Sequence, residues 1–290
     1  LFEEAKFLLN CHNNMAGNFV ATPHPPNYYF YGAGGSGYYD PQNPGVASAD
    51  AFFADPGMQP VGFTNQYGPA GLRPWLRAES GYVAAMGLKR VAYEGGPSLE
   101  TGVSVSNYAV TTAAVNDPRM TTAMVNMHDE WSRNGGELFV YYRATGDNQW
   151  GFTSDVYNLA TPKLKAIDAL NTSEHAPLSL GTPVPANIAG TAADACSRGW
   201  SCSPIPSYDS FTANGSKIIW ASYSFRSTAA APWTVKLSFT SASSNASVAI
   251  YIDGALVATK STSGGALSFD AGTVNPGLHG VIVRAVTGTF

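Results

Sequence analysis

Residues 91–100 read VAYEGGPSLE. A short run of β-branched and aromatic residues ends at Glu94, and Gly95 and Gly96 follow, so a strand is made to stop beside a carboxylate. The flanking segments decide what kind of strand this is. Upstream, VASADAFFAD and LRAESGYVAAMG carry helical patterns. Downstream, Asp117 reads as an N-cap with Pro118 at the first helical position; Met120, Ala123, Met124, Met127 and Trp131 then recur at helix spacing until NGG stops them. The strand ELFVYYRA comes next. A last helix, opened by Thr161 and Pro162, is expected to turn Leu164, Ile167 and Leu170 inward.

The start of the chain has the same order. Leu1, Phe2, Ala5, Leu8 and Leu9 share a helical face, and NFVATPHP reads as a strand. The segment PPNYYFYGAGGSGYYDPQNPG between them and the first helical patch reads as a long aromatic, glycine-rich loop. Largely apolar strands alternating with helices predict a parallel sheet covered by helices, with three strands over residues 1–175. Beyond 175 the pattern changes. Pro177, Pro183 and Pro185 mark a linker over 176–183, and no helical period recurs across 184–290. WTVKLSF alternates, with Trp233, Val235, Leu237 and Phe239 on one face; SVAIYIDGALVAT is a hairpin whose Asp253-Gly254 pair suits a type I′ turn; HGVIVRAV supplies another strand. Residues 184–290 are therefore expected to form an all-β sandwich.

Composition narrows the partners. Only 12% of the 290 residues are charged while 12% are aromatic, which leaves a surface of Ser, Thr, Asn, Gly and Tyr suited to neutral ligands. A net charge of -4 without any basic run argues against nucleic acid, and no stretch reaches the length of a membrane span. LFEEAKFLLN lacks the marks of a signal peptide, so the chain is expected to begin after processing or partway through something larger. Cys196 and Cys202, in CSRGWSC without neighbouring histidines, are expected to close a small disulfide loop rather than bind zinc, and Cys11 reads as a buried thiol. Gly32, Gly34 and Gly37 match a dinucleotide fingerprint formally. They do not open a helix, so no cofactor is expected, and no metal site.

Taken together, GLKRVAYEGG, NDPRM, WSRNGG and WGFTSDVYNLATPKLKAID resemble the C-terminal portion of (β/α)8-barrel glycoside hydrolases of secreted bacterial proteins. The resemblance covers about residues 1–175 and implies the last three βα units of a TIM-type barrel. It implies that the YEGG strand is the seventh, that Glu94 is the nucleophile, and that the general acid/base follows the fourth strand, usually in an Asn-Glu pair. This chain has no such pair, so the acid/base is expected outside it, on a missing N-terminal half carried by a longer chain or a second one. VAIYIDGALVAT and NPGLHGVIVRAVTGTF resemble jelly-roll carbohydrate-binding modules. The function so implied is hydrolysis of a polysaccharide or oligosaccharide with retention, at the cell surface or secreted. The alternative is a non-catalytic glycan-binding or surface-assembly protein with a degenerate barrel.

Glycoside cleavage uses two carboxyl groups, and barrel enzymes place them at the C-terminal ends of strands. Glu94 stands at such an end, where its other reading is a turn anchor held by backbone amides. Glu100 lies just past it. Glu79 and Glu130 fall in helical patches and are expected on solvated faces, and Asp40 reads either as a contact to sugar hydroxyls or as a turn residue before Pro41. For sugar contacts the candidates are His24, Tyr28, Tyr29 and Tyr142, with Trp150 as the ring platform that the resemblance implies; rings of this kind pair an apolar face with a polar edge. In the β segment, Trp200 is the expected exposed aromatic. Trp220 and Tyr223 fall on opposite faces of one strand, so one of them is expected to be exposed and available for glycan.

Overall fold

The computed structural model describes residues 24–59, 72–100, 105–146, 149–190, 192–196, 219–239 and 241–288. The expected opening helix and strand, Cys11, Trp200 and the Cys196–Cys202 pairing lie outside the described residues. The chain divides into two compact units. One takes residues 34–77 and 91–179 and is rich in helices; the other takes residues up to 33, 78–90 and 180–290 and is rich in strands.

In the helical unit the glycine-rich segment is not a plain loop. It folds into strand β2 (Gly37–Tyr39), which runs parallel to β4 (Gly95–Pro97) with Gly37, Tyr38 and Tyr39 opposite Gly95, Gly96 and Pro97. The segment after strand β5 (Gly136–Phe139) continues the ladder. Val140 N–H donates to the Ala92 carbonyl at 3.0 Å and Tyr142 N–H to that of Gly95 at 3.2 Å. Ala92 itself closes β3 (Lys89–Ala92), which begins in the other unit.

Helices α2 (Ala49–Ala54), α4 (Tyr108–Asn116), α5 (Arg119–Arg133) and α6 (Pro162–Thr172) share a buried core with Tyr39 and Ala92 of this ladder. Ser48 and Thr161 cap α2 and α6 by accepting from Ala51 and Leu164. The expected methionine face of α5 is in the core, where Met120, Met124, Met127 and Trp131 meet Phe52, Val110, Leu99 and Ala166. In α6 the buried positions are Lys163 and Ala166, whereas Leu164, Ile167 and Leu170 are only half-buried, so the expected inward face is rotated. Helix α4 had no counterpart in the sequence reading.

In the β-rich unit, short helix α1 (Pro26–Tyr29) leads to β1 (Gly32–Ala33), parallel to the first half of β3. A larger sheet has the order β11 (Ala255–Thr262), β10 (Ala246–Ile252), β13 (Gly277–Thr287), β8 (Ile219–Ser227), β6 (Thr182–Pro183), with β7 (Ala195–Cys196) also paired to β8. Asp253 and Gly254 join β10 to β11 at φ 52° and 77°, as a type I′ turn requires. Strands β9 (Ala231–Phe239) and β12 (Gly265–Val274) form a second, antiparallel pair. Trp233 and Phe269 from that pair share a core with Tyr223, Val248, Ile250, Val281 and Val283.

The opposite face of the larger sheet is covered as well. Tyr82, Val83, Ala85 and Met86, from the second half of α3 (Leu72–Ala85) and the turn after it, pack on Trp220, Ala249, Tyr251 and Ile282. The backbones touch at Gly280, where a Cβ would stand 2.4 Å from Ala85 Cα. This corrects one expectation. Trp220 and Tyr223 do point to opposite faces, but both faces are buried, and at 2% and 8% exposure neither ring is open to a glycan.

Candidate functional site

Glu94 sits in the two-residue bend between β3 and β4. Its carbonyl accepts from Gly37 N–H at 2.9 Å, which ties the bend to the start of β2. The two glycines after it are required by crowding and by backbone angle. A Cβ on Gly95 would lie 2.5 Å from the Phe139 ring, and Gly96 takes φ +123°, which L side chains rarely adopt. The parallel pairing then sets Tyr38, one residue along β2, beside the carboxylate.

The Tyr38 hydroxyl donates to the Glu94 carboxylate. Burial, then the negative charge of Glu94, push the Tyr38 phenol well above its ordinary value, so it stays protonated and remains a donor. Its ring is 7% exposed and meets Trp150 edge-on at 5.2 Å and Tyr142 at 6.5 Å; Tyr142 and Trp150 meet each other at 5.6 Å. Glu94 and Trp150 are half-buried, and Tyr142 and Tyr93 are 50% and 62% exposed. The half-buried Glu94 carboxylate thus has Tyr38 as its neighbour, and Tyr38 belongs to a group of three rings of which Tyr142 is exposed. Such a group combines a nucleophile or base with apolar faces for a ring-shaped neutral ligand.

Behind the bend lies a second polar pair. Tyr141 packs against Gly96, where a Cβ would come within 3.0 Å of its ring, and its hydroxyl is 2.7 Å from His128 Nε2. Burial pushes His128 down to about 4, and Tyr141 is held well above its ordinary value by the same cause. The imidazole is therefore neutral near pH 7, and Nε2 shares a hydrogen bond with the Tyr141 hydroxyl whose donor is set by the tautomer.

The expected ligand residues fall into two groups. Tyr142 and Trp150 are in the Glu94 cluster. His24, Tyr28 and Tyr29 belong to the β-rich unit, where the His24 ring stacks on Tyr28 at 3.9 Å and Tyr29 meets Tyr28 edge-on at 5.0 Å. Glu100 is exposed. Glu79 and Glu130 overturn the expectation of solvated faces. Glu79 is 4% exposed and ion-paired with Arg90, while Glu130, 1% exposed, accepts from Arg133 at 3.1 Å and from the Asn134 side chain at 3.3 Å. Burial pushes Glu79 upward, against the pull of Arg90. Tyr38 was visible in the sequence only as one of five tyrosines; its parallel partner β4 is what singles it out. Among the described residues no three His, Cys, Asp or Glu side chains gather to hold a metal.

No family profile matches this chain, and no curated protein does. The solved structures similar to it include a bifunctional glucanase-xylanase from a metagenome library, 13% identical over 87% of this chain and 43% of that one, with a TM-score of 0.28. A GH30 endoxylanase from Clostridium papyrosolvens is 12% identical over 98% of this chain and 71% of its own, at 0.20. A GH2 beta-galacturonidase from Eisenbergiella tayi is 18% identical over 23% of this chain and 11% of its own, at 0.19. The chain spans less than half the length of the first and third. Superpositions at these TM-scores do not establish a shared fold.

Proposed function

We propose that this chain is glycan-active and that Glu94 is the nucleophile of a retaining glycoside hydrolase acting on a polysaccharide or oligosaccharide. The observation that carries this reading is the half-buried Glu94 carboxylate beside the Tyr38 phenol, whose ring in turn meets Tyr142 and Trp150. In this reading the helical unit is the last part of a (β/α)8-type barrel, and the β-rich unit is a jelly-roll-like sandwich that retains polysaccharide. The protein works outside the cell, and the missing part of the barrel supplies the acid/base.

The chemistry follows from the group's parts. One Glu94 oxygen attacks the anomeric carbon as the acid on the other part of the barrel protonates the leaving oxygen; that group, now a base, takes a proton from the water that attacks the glycosyl-enzyme and releases Glu94. The Tyr38 donor fixes the orientation of the carboxylate, and Trp150 and Tyr142 supply faces for the sugar ring.

Glu94→Gln is the test. Turnover should vanish across a panel of aryl glycosides, xylan and mixed-linkage β-glucan, while thermal stability and retention on insoluble polysaccharide stay as in the wild type. Turnover surviving in the variant overturns the nucleophile assignment. A wild-type protein completed by the part of the barrel that supplies the acid/base, held by glycan yet cleaving none of the panel, supports the non-catalytic alternative instead.

A further inference from the structure

Lys163 is the second residue of α6, 1% exposed, in the first turn of a helix. That is a poor place for a cation, because the helix N-terminus carries partial positive charge and burial removes the water that would solvate an ammonium. What the ammonium holds there is specific. Nζ donates to the Gln149 carbonyl at 3.3 Å and to the Gly151 carbonyl at 3.0 Å, the two carbonyls that flank Trp150. The cap residue Thr161 adds a third grip, its hydroxyl donating to the Phe152 carbonyl at 2.8 Å. Phe152 N–H is in turn bonded to the Ala144 carbonyl at 3.1 Å.

The Gln149 carbonyl lies in the peptide plane that ends at the Trp150 nitrogen and the Gly151 carbonyl in the plane just beyond Trp150, so holding both pins the backbone before and after the ring. We infer that Lys163 is a positioning residue that sets the Trp150 ring as the sugar platform beside Tyr38 and Glu94, acting on the ligand only through that ring. This rests on the proposed glycan-active site. Hydrogen bonds from an ammonium to these carbonyls orient the loop more firmly than an apolar side chain of similar length does.

The test is a cycle of Lys163→Met, Trp150→Ala and the double variant, all in the Glu94→Gln background so that ligand is bound and not consumed. Binding of soluble xylan and mixed-linkage β-glucan is measured by calorimetry. Lys163→Met should weaken binding about 10- to 100-fold, the scale of a misplaced contact. The double variant should bind no more weakly than Trp150→Ala alone, since the lysine has nothing left to position. Losses that multiply in the double variant overturn the inference and leave Lys163 as a general packing residue.

A second readout needs no sugar. The emission of Trp150, taken as the difference between each protein and its Trp150→Phe counterpart, should be quenched more readily by acrylamide in Lys163→Met, with unchanged far-ultraviolet circular dichroism. If that quenching rises while neither polysaccharide binds the parent protein, Lys163 positions Trp150 and it is the glycan reading of the site that fails. Unchanged quenching overturns the inference whatever binds.

Discussion

Acidification should unfold this protein from the layer directly beneath Glu94. His128 has an ordinary value of 6.5 and is pushed to about 4 by burial between Phe139 and Tyr141, with a smaller push from His175. Between those two values the unfolded chain binds a proton that the folded one refuses, so stability falls as pH drops from 6.5 toward 4 and levels off below. At about 1.4 kcal/mol per tenfold change in proton affinity, the gap is worth about 3 kcal/mol, or about 2 to 3 once the solvent-reached part of the ring is allowed for. Protonation also makes Nε2 a donor in its bond with the Tyr141 hydroxyl, and Tyr141 is the ring against Gly96. Urea unfolding followed by circular dichroism at pH 7, 5.5 and 4 measures the effect. His128→Gln keeps a polar tip for Tyr141 and cannot titrate, so its stability should fall by about 2 to 3 kcal/mol less than that of the wild type over this range. Parallel curves for the two proteins would refute the assignment of acid sensitivity to this ring.

The other expectations are simpler. Tyr38→Phe keeps the ring contacts with Trp150 and Tyr142 but deletes the donor to Glu94. A hydrogen bond to a charged group contributes about 1.5 to 3 kcal/mol, so kcat should fall about 10- to 100-fold with KM little changed. A kcat within about twofold of the wild type would mean that the phenol does not act on the carboxylate in the reaction. Gly280→Ala places a methyl 2.4 Å from Ala85 Cα and 2.5 Å from its nitrogen, backbone atoms that cannot swing aside. Overpacking of this kind costs about 1 to 3 kcal/mol, and thermal unfolding should show a drop of several degrees; an unchanged midpoint would refute the close helix–sheet contact.

Much of the element pattern was legible because it depends on local rules. The methionine stripe of α5, the Thr161-Pro162 start of α6, the alternation in β9 and the Asp253-Gly254 turn each need only a short window of sequence. What escaped depends on partners distant in the chain or on unusual composition. Helix α4 buries Val110, Thr111, Ala114 and Val115 but has no charged face to set them off. Strand β2 is three residues of glycine and tyrosine, too short to alternate, and it exists because β4 pairs with it. The Glu79–Arg90 pair joins a helix to a strand, and the carbonyl partners of Lys163 lie in another segment. Of the site, Glu94, Tyr142 and Trp150 could be picked out individually; the tyrosine that binds them into one group could not.

The cover that α3 lays over the larger sheet bears on how this protein can be dissected. A fragment starting at residue 180, where proline punctuation invites a cut, would leave behind Tyr82, Val83, Ala85 and Met86 and strip one side of strands β8, β10 and β13. Trp220, Tyr251 and Ile282 would then form a bare greasy plate, the kind of surface on which polypeptides clump. Insolubility of such a truncation would therefore report a lost lid, and would say nothing about whether the intact β-rich unit holds sugar.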